Sequence, residues 1–175
     1  AQAQEIKWSE TDRKYLLTNL IRSRDELIAE TKGLTTQQYS FHESPDRWSI
    51  NEVVEHLALY ELVFDNEINK ALRQGKRNLP AKADSTFLNF IMQYQKHYTL
   101  EYSKPFSFTM PMGLNSLENN LAWFNKMRNE SIAYVGSTPD DLKAYFNDWG
   151  NIHQIYIYTF GHIDRQLRQI RKIKQ

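Results

Sequence analysis

The chain of 175 residues contains no cysteine, and this absence removes several kinds of chemistry at once. Disulfide bonds, thiolate metal sites and thiol nucleophiles are all excluded. Any metal ion would have to be held by histidine, carboxylate or amide side chains. The sequence also lacks a long apolar run, since its apolar stretches are short and fall well below the roughly 20 residues that cross a bilayer. We therefore expect no membrane span in these residues.

The sequence also lacks an excess of positive or negative charge. Lysine and arginine number 22 against 21 acidic residues, which gives a net charge of +1 and no strong field toward nucleic acid or anionic lipid. The basic end of the chain, with Arg165, Arg168 and Arg171, is interpreted as a solvated helix end. No low-complexity segment divides the chain, and its length is that of one domain, so we predict a single domain over residues 1–175. Nucleic acid is a disfavoured partner.

A pattern of alternating apolar and polar residues, as expected for strands, occurs only briefly at residues 106–110 and between two prolines. Apolar residues instead recur at three- and four-residue steps, and helix start signals precede them; the best is the capping box formed by Ser49 and Glu52. We predict an all-α fold of about five helices built around a four-helix bundle, with additional short helices. The predicted long helices cover about Glu10–Lys32, Ile50–Gln74, Asn115–Val135 and Asn151 to the basic end; shorter ones cover Ser85–Tyr98, 35–39 and 138–146.

Two histidines stand out as candidates for chemistry. His56 lies on the second turn of the second long helix and should point inward, and His162 shares a face of the last helix with Tyr158 and Gln166. Two imidazoles and an amide that converge inside a bundle can hold a divalent cation, with water completing the coordination. The alternative is a pair of hydrogen-bonded core histidines without a metal, which is the commoner role of a histidine on a mixed helix face.

The other histidines are expected to lie elsewhere. His153 precedes His162 by nine residues, which places it on the opposite side of the helix. His42 and His97 lie near predicted helix ends or loops, and both are interpreted as surface residues. The segment from Ser103 to Gly113, which contains two prolines and a glycine, cannot continue a helix and is predicted to be an extended linker that could overlie the bundle.

The order of elements and several motifs resemble the DinB-like (damage-inducible, YfiT-like) superfamily over nearly the whole chain. The first half carries LTTQQ at residues 34–38 and WSINEVVEHL at residues 48–57. The second half carries a Pro-x-Gly loop at residues 111–113, LAWFNKMR at residues 121–128 and HIDRQLRQI at residues 162–170. The resemblance implies a DinB-like four-helix bundle.

The resemblance also implies a nickel or zinc site of three histidines, one from the second long helix and two from a His-x-x-x-His pair on the last helix. His56 and His162 match the first two positions, but Gln166 occupies the third. An amide oxygen is a poorer ligand than imidazole for these metals, so the site is degenerate and its metal affinity is expected to be reduced or lost. No other cofactor is expected, and no catalytic residue can be assigned.

Two functions follow from the resemblance and its departure. The first is a metal-dependent hydrolase or thiol transferase, in which His56, His162 and Gln166 surround a cation that activates water or a small thiol. The second is a non-enzymatic, metal-free, exported binding protein for an unknown small molecule. Export is suggested by the Ala-x-Ala pattern at the start of the chain, as if a signal peptide had been removed before Ala1; otherwise the protein is expected in the cytoplasm. The resemblance is also compatible with a homodimer.

Overall fold

A computed structural model of the protein describes residues 7–93 and 106–175. Four long helices dominate it: α1 (Glu10–Thr31), α3 (Ile50–Arg73), α5 (Leu117–Ser137) and α6 (Ile152–Ile173). Two shorter helices, α2 (Thr36–Tyr39) and α4 (Asp84–Gln93), and a single 3₁₀ turn (Phe106–Thr109) complete the order along the chain. The described residues form no strand and only two isolated β-bridges, which confirms the all-α prediction.

The helices begin where their local capping signals predict. The side chains of Ser9, Thr35, Ser49 and Asn151 each accept a hydrogen bond from the backbone N–H three residues later, and the side chain at that third position accepts from the cap backbone in return. Each reciprocal pair satisfies backbone donors that have no partner inside the helix. The starts of α1, α2, α3 and α6 are therefore determined by residues within a few positions of each other in the sequence.

The apolar core is divided into two clusters along the bundle, and each cluster takes side chains from all four long helices. One cluster includes Leu20, Phe64, Val135 and Phe160. The other includes Leu27, Val54, Phe124 and Leu167. Burial of these side chains in close packing is the main force that holds the amphipathic helices together.

Helix α4 packs along α6. The Nε2 group of Gln154 donates to the backbone oxygen of Lys82 at 2.6 Å and to the Asp84 carboxylate at 3.1 Å, which fixes the start of α4. Further along, Ile91 packs so closely on Gly161 that no Cβ fits there without movement. The predicted helix over Ser85–Tyr98 is thus present as far as Gln93, and its remainder lies outside the described residues.

The short helix predicted over residues 138–146 is wrong. The start signal acts only locally, since Thr138 Oγ1 accepts from the Asp140 backbone N–H at 3.2 Å and no helix follows. The backbone beyond it bonds to other segments instead: the Leu142 carbonyl accepts from the His153 N–H at 3.1 Å, and the Ala144 carbonyl accepts from the Arg77 N–H at 2.8 Å. In the predicted helix the Leu142 carbonyl would have accepted from the N–H four residues later, so its bond to His153 takes the place of a helical one.

The basic end of α6 pairs with acidic residues of α1. Arg171 contacts Glu26 and Glu30, and Lys174 donates to Glu30 at 2.9 Å. These exposed ion pairs join the first and last helices and neutralise part of the basic run, in agreement with its interpretation as a solvated helix end. No described helix is both long enough and apolar enough to span a membrane.

Candidate metal centre between the two core clusters

A layer of polar side chains separates the two apolar clusters. Ser23, Glu61, Arg128 and His162 are all buried, and each lies on its helix between residues that belong to one cluster and residues that belong to the other. Polar groups in such a place are stable only when they are hydrogen-bonded or paired. The layer crosses the bundle interior, where the two candidate histidines are predicted to meet.

One half of the layer is a buried ion pair. The Arg128 guanidinium, with no exposed surface, donates to both carboxylate oxygens of Glu61, at 3.1 Å and 2.6 Å. Its remaining N–H groups donate to Ser23 Oγ at 2.8 Å and to the Leu20 carbonyl at 3.3 Å. The pair joins α1, α3 and α5, so its role is structural.

The other half of the layer contains the two histidines of the predicted site. The Nε2 atoms of His56 on α3 and His162 on α6 lie 3.3 Å apart, although 106 residues separate them along the chain. His56 is 2% exposed and His162 6% exposed. Two nitrogens about 2.0–2.1 Å from a tetrahedral cation lie about 3.3 Å apart, so this spacing suits two ligands of one ion. It also exceeds the about 2.9–3.0 Å of an ordinary N–H hydrogen bond.

The contact of His56 with a backbone carbonyl fixes the protonation of its ring. Nδ1 lies 3.0 Å from the Thr109 carbonyl oxygen, which can only accept a hydrogen bond. Nδ1 therefore carries the proton, and in the neutral ring the lone pair is on Nε2, which faces His162. A backbone carbonyl that orients a histidine in this way is typical of the surroundings of a metal ligand.

Glu55 holds the loop that supplies this carbonyl. Its buried carboxylate accepts from the backbone N–H groups of Met112 and Gly113, both at 2.9 Å. The Nδ2 group of Asn51, one turn earlier on α3, donates to the Asn115 carbonyl at 2.8 Å. The described part of the predicted linker thus lies over α3, and α3 supplies both the histidine and the groups that position its partner.

The surroundings keep the second ring neutral. Burial holds the pKa of His162 well below its ordinary value, and the nearby His56 ring, Arg165 and Arg128 push the pKa in the same direction. Removal from water penalises the charged imidazolium, and nearby positive groups add to that cost. A neutral imidazole is the form that binds a metal ion, so protons compete little for His162 at neutral pH.

Gln166, the third predicted ligand, lies one turn after His162 on α6 and is 3% exposed. Neither its Oε1 atom nor His162 Nδ1 finds a hydrogen-bond partner among the described residues. A buried acceptor without a partner is costly, and a cation or a bound water would relieve that cost. In residues 7–93 and 106–175, no three His, Cys, Asp or Glu side chains come together as a metal site. Among the three predicted ligands, only the Gln166 amide could add a third side chain to the two histidines.

Aromatic rings enclose the two imidazoles. The Tyr60 ring lies 4.8 Å from His56 and 4.4 Å from His162, measured between ring centroids. Trp48 lies 4.7 Å from His56, and the Tyr158 ring is parallel to that of His162 at 6.3 Å. This apolar shell lowers the local polarity, which strengthens electrostatic interactions inside it.

The remaining histidines lie away from this centre. His42 is exposed and contacts the Glu52 carboxylate at 2.7 Å, which agrees with its interpretation as a surface residue. His153 lies on a different side of α6, as predicted, but it is buried: its Nδ1 accepts from Trp8 Nε1–H at 3.1 Å, and its Nε2 lies 3.3 Å from Asp84. His97 lies outside the described residues.

Two contributors to the site have only weak signals in the sequence. Glu55 is an acid directly before His56 and close in sequence to the apolar Val54 and Leu57, which could have marked it as a buried, hydrogen-bonded group. Thr109 contributes its backbone carbonyl, and its side chain gives no indication of that role. The orienting contact to His56 therefore becomes visible only once the loop is placed.

Comparison with known proteins gives two findings. A family model described as the DinB superfamily matches residues 19–163. Among solved structures, the chain is similar to YfiT from Bacillus subtilis, with a TM-score of 0.62 and 13% sequence identity over 99% of this chain and 91% of that chain. At this identity the similarity shows the four-helix-bundle fold alone. The curated proteins include no match to the sequence.

Proposed function

Because the chain belongs to the DinB superfamily, we propose that it binds a divalent cation, zinc or nickel, between His56 and His162, with Gln166 as a weaker third ligand, and acts as a metal-dependent hydrolase. The observation that supports this proposal best is the 3.3 Å between the two Nε2 atoms. The reaction class is proposed by analogy with the structural relative, YfiT, which is described as a probable metal-dependent hydrolase with an unusual four-helix bundle topology.

The residues of the centre fit such an ion in three respects. Two imidazole nitrogens face each other at the spacing of ligands, and His56 Nε2 presents its lone pair because Nδ1 donates to the Thr109 carbonyl. His162 is held neutral. Gln166 supplies a buried oxygen that has no partner among the described residues. When bound, the cation would lower the pKa of a water in an open coordination position.

The protein's own groups would position and shield this centre. Glu55 and the loop keep the His56 ring in one orientation, and Tyr60 and Tyr158 exclude bulk water from one side of His162. His162 Nδ1 has no acceptor among the described residues to support it, and metal ligands normally have such support. We therefore expect weaker affinity than a fully supported three-histidine site would have.

The proposal is tested by adding the third imidazole. Gln166→His should raise zinc and nickel affinity about tenfold or more, measured by competition with a chromophoric chelator on protein without a polyhistidine tag. Gln169→His, which adds a histidine three residues away on the same helix, is the matched control and should leave affinity near that of the wild type. Equal affinities for all three proteins would refute convergence of the three positions on one ion. Hydrolysis of ester and amide substrates, with and without a thiol, then separates a hydrolase from a thiol transferase.

A second candidate function is a metal-free binding protein. The glutamine in the third position and the unsupported Nδ1 of His162 favour it, because both lower the expected metal affinity. It predicts that Gln166→His gains affinity while the wild type binds neither zinc nor nickel at micromolar concentrations. The two functions are thus distinguished by the wild-type measurement alone.

A further inference from the structure

A cleft of about 410 Å³ opens next to the histidine pair, between α4, the turn before α6, and α6 itself. This volume lies in the range of pockets for small organic molecules, roughly 300–1,000 Å³. Of the nine described residues that line it, five are aromatic: Tyr60, Phe87, Phe90, Trp149 and Tyr158.

The aromatic rings form neighbouring walls of the cleft. The Trp149 and Tyr158 rings lie 5.7 Å apart at 57°, and the Phe90 and Tyr158 rings lie 6.1 Å apart at 30°. Phe90 is 51% exposed and stands at the mouth. Rings at such distances and angles offer both faces and edges, which are the surfaces that a further aromatic ring packs against.

The wall contributed by α4 is held in place by contacts with α6 and with the turn before it. Gln154 donates to the Lys82 carbonyl and to Asp84 at the start of the helix, and Ile91 packs on Gly161 further along. Gly150, beside Trp149, is also so close to the Phe87 ring that a Cβ there would lie 2.8 Å from it. The cleft is therefore formed before any ligand arrives, which lowers the entropic cost of binding.

The charged residues of the cleft give it no preference for a net charge of either sign. Lys82 and Asp148 are both exposed and have opposite signs, so together they favour neither an anion nor a cation. Thr86, on α4, adds a hydroxyl that can donate or accept a hydrogen bond. We propose that this cleft is a binding site for a planar, uncharged aromatic molecule.

The cleft is separate from the proposed metal centre. Neither His56 nor His162 lines it; Tyr60 and Tyr158 line it and lie between it and the His162 ring. Binding of an aromatic molecule consequently needs no cation and holds for the metal-free protein as well. If the centre is a hydrolytic site, the cleft would receive the aromatic part of its substrate, and that extension alone rests on the proposed function.

The experiment uses indole as the neutral probe and trimethylphenylammonium and benzenesulfonate as charged rings, titrated in the presence of a chelator and followed by ligand-observed NMR. Thr86→Trp places a large ring in the cleft from an exposed helix position, and the adjacent Ser85→Trp, which does not line the cleft, is the matched control. We expect saturable indole binding that Thr86→Trp weakens about tenfold or more and Ser85→Trp changes less than about twofold. Circular dichroism checks that both variants are folded.

Phe90→Ala provides a second, less bulky test, because this half-exposed ring can be removed without opening the core. It should weaken indole binding several-fold. The proposal is overturned if indole does not saturate the wild type, if Thr86→Trp binds as well as Ser85→Trp, or if either charged ring binds more tightly than indole. Wild-type protein should bind indole equally well with chelator and with added zinc, so failure of the metal centre and failure of the cleft are distinguishable.

Discussion

Removing the buried guanidinium should be among the most damaging single changes in this protein. Arg128→Met keeps the apolar stem but leaves the Glu61 carboxylate, 3% exposed, without a counterion, and it also removes a donor from Ser23 Oγ and from the Leu20 carbonyl. Leaving one partner of a buried ion pair uncompensated costs about 3–5 kcal/mol of unfolding free energy. For a chain of this size that corresponds to a decrease in Tm of roughly 6–20 °C.

The double variant Glu61→Leu/Arg128→Met separates the ion pair from the packing around it. Because the double change leaves no uncompensated charge, it should cost clearly less than the sum of the two single changes, with a coupling energy of about 2 kcal/mol or more. Urea unfolding of the wild type, both single variants and the double variant measures this coupling. A cost below about 1 kcal/mol for Arg128→Met, or additive single effects, would refute the assignment of the pair as the structural half of the polar layer.

Two further predictions concern the loop and the start of α6. Glu55→Ala should lower the unfolding free energy by about 2–3 kcal/mol, because the backbone N–H groups of residues 112 and 113 lose their shared acceptor. Hydrogen exchange of these two amides should become faster, and unchanged exchange would contradict the role of Glu55 in holding the loop. Burial lowers the pKa of His153 in the folded protein, so the unfolded chain binds a proton there more readily than the folded chain does. The free energy of unfolding should therefore be highest above about pH 6.5 and should fall as the pH drops through the lower pKa of the folded protein. Urea unfolding measured from pH 5 to 8 should show a smaller loss of unfolding free energy at acid pH in His153→Gln than in the wild type. An identical pH dependence in the two proteins would contradict this prediction.

The sequence predicts this fold well where the signals are local. Ser49 and Glu52 form their capping box within four residues, and the same holds for Asn151 and Gln154, so helix starts follow from short motifs. The start signal at Thr138 is equally local, but no helix follows it. The backbone after it bonds to Arg77 and His153 and does not continue as a helix.

The site is only partly visible in the sequence. Helical spacing puts His162 and Gln166 on one face of a helix, but that His56 lies opposite them depends on how α3 packs against α6, and only the family resemblance indicated it. Arg128 on an apolar stripe was a usable signal for a buried partner on another helix, and Glu61 is that partner. The Thr109 carbonyl could not be predicted, since backbone contacts made by a loop depend on its path and not on its side chains.

The central claim is that His56 and His162 together hold a divalent cation, and metal analysis tests it most directly. Untagged wild-type protein, incubated with zinc or nickel and then desalted, is compared with His56→Ala and with His42→Ala, which removes an exposed histidine of the same type. The account predicts a stoichiometric ion in the wild type and in His42→Ala, and loss of that ion in His56→Ala. Equal metal content in all three proteins would contradict it.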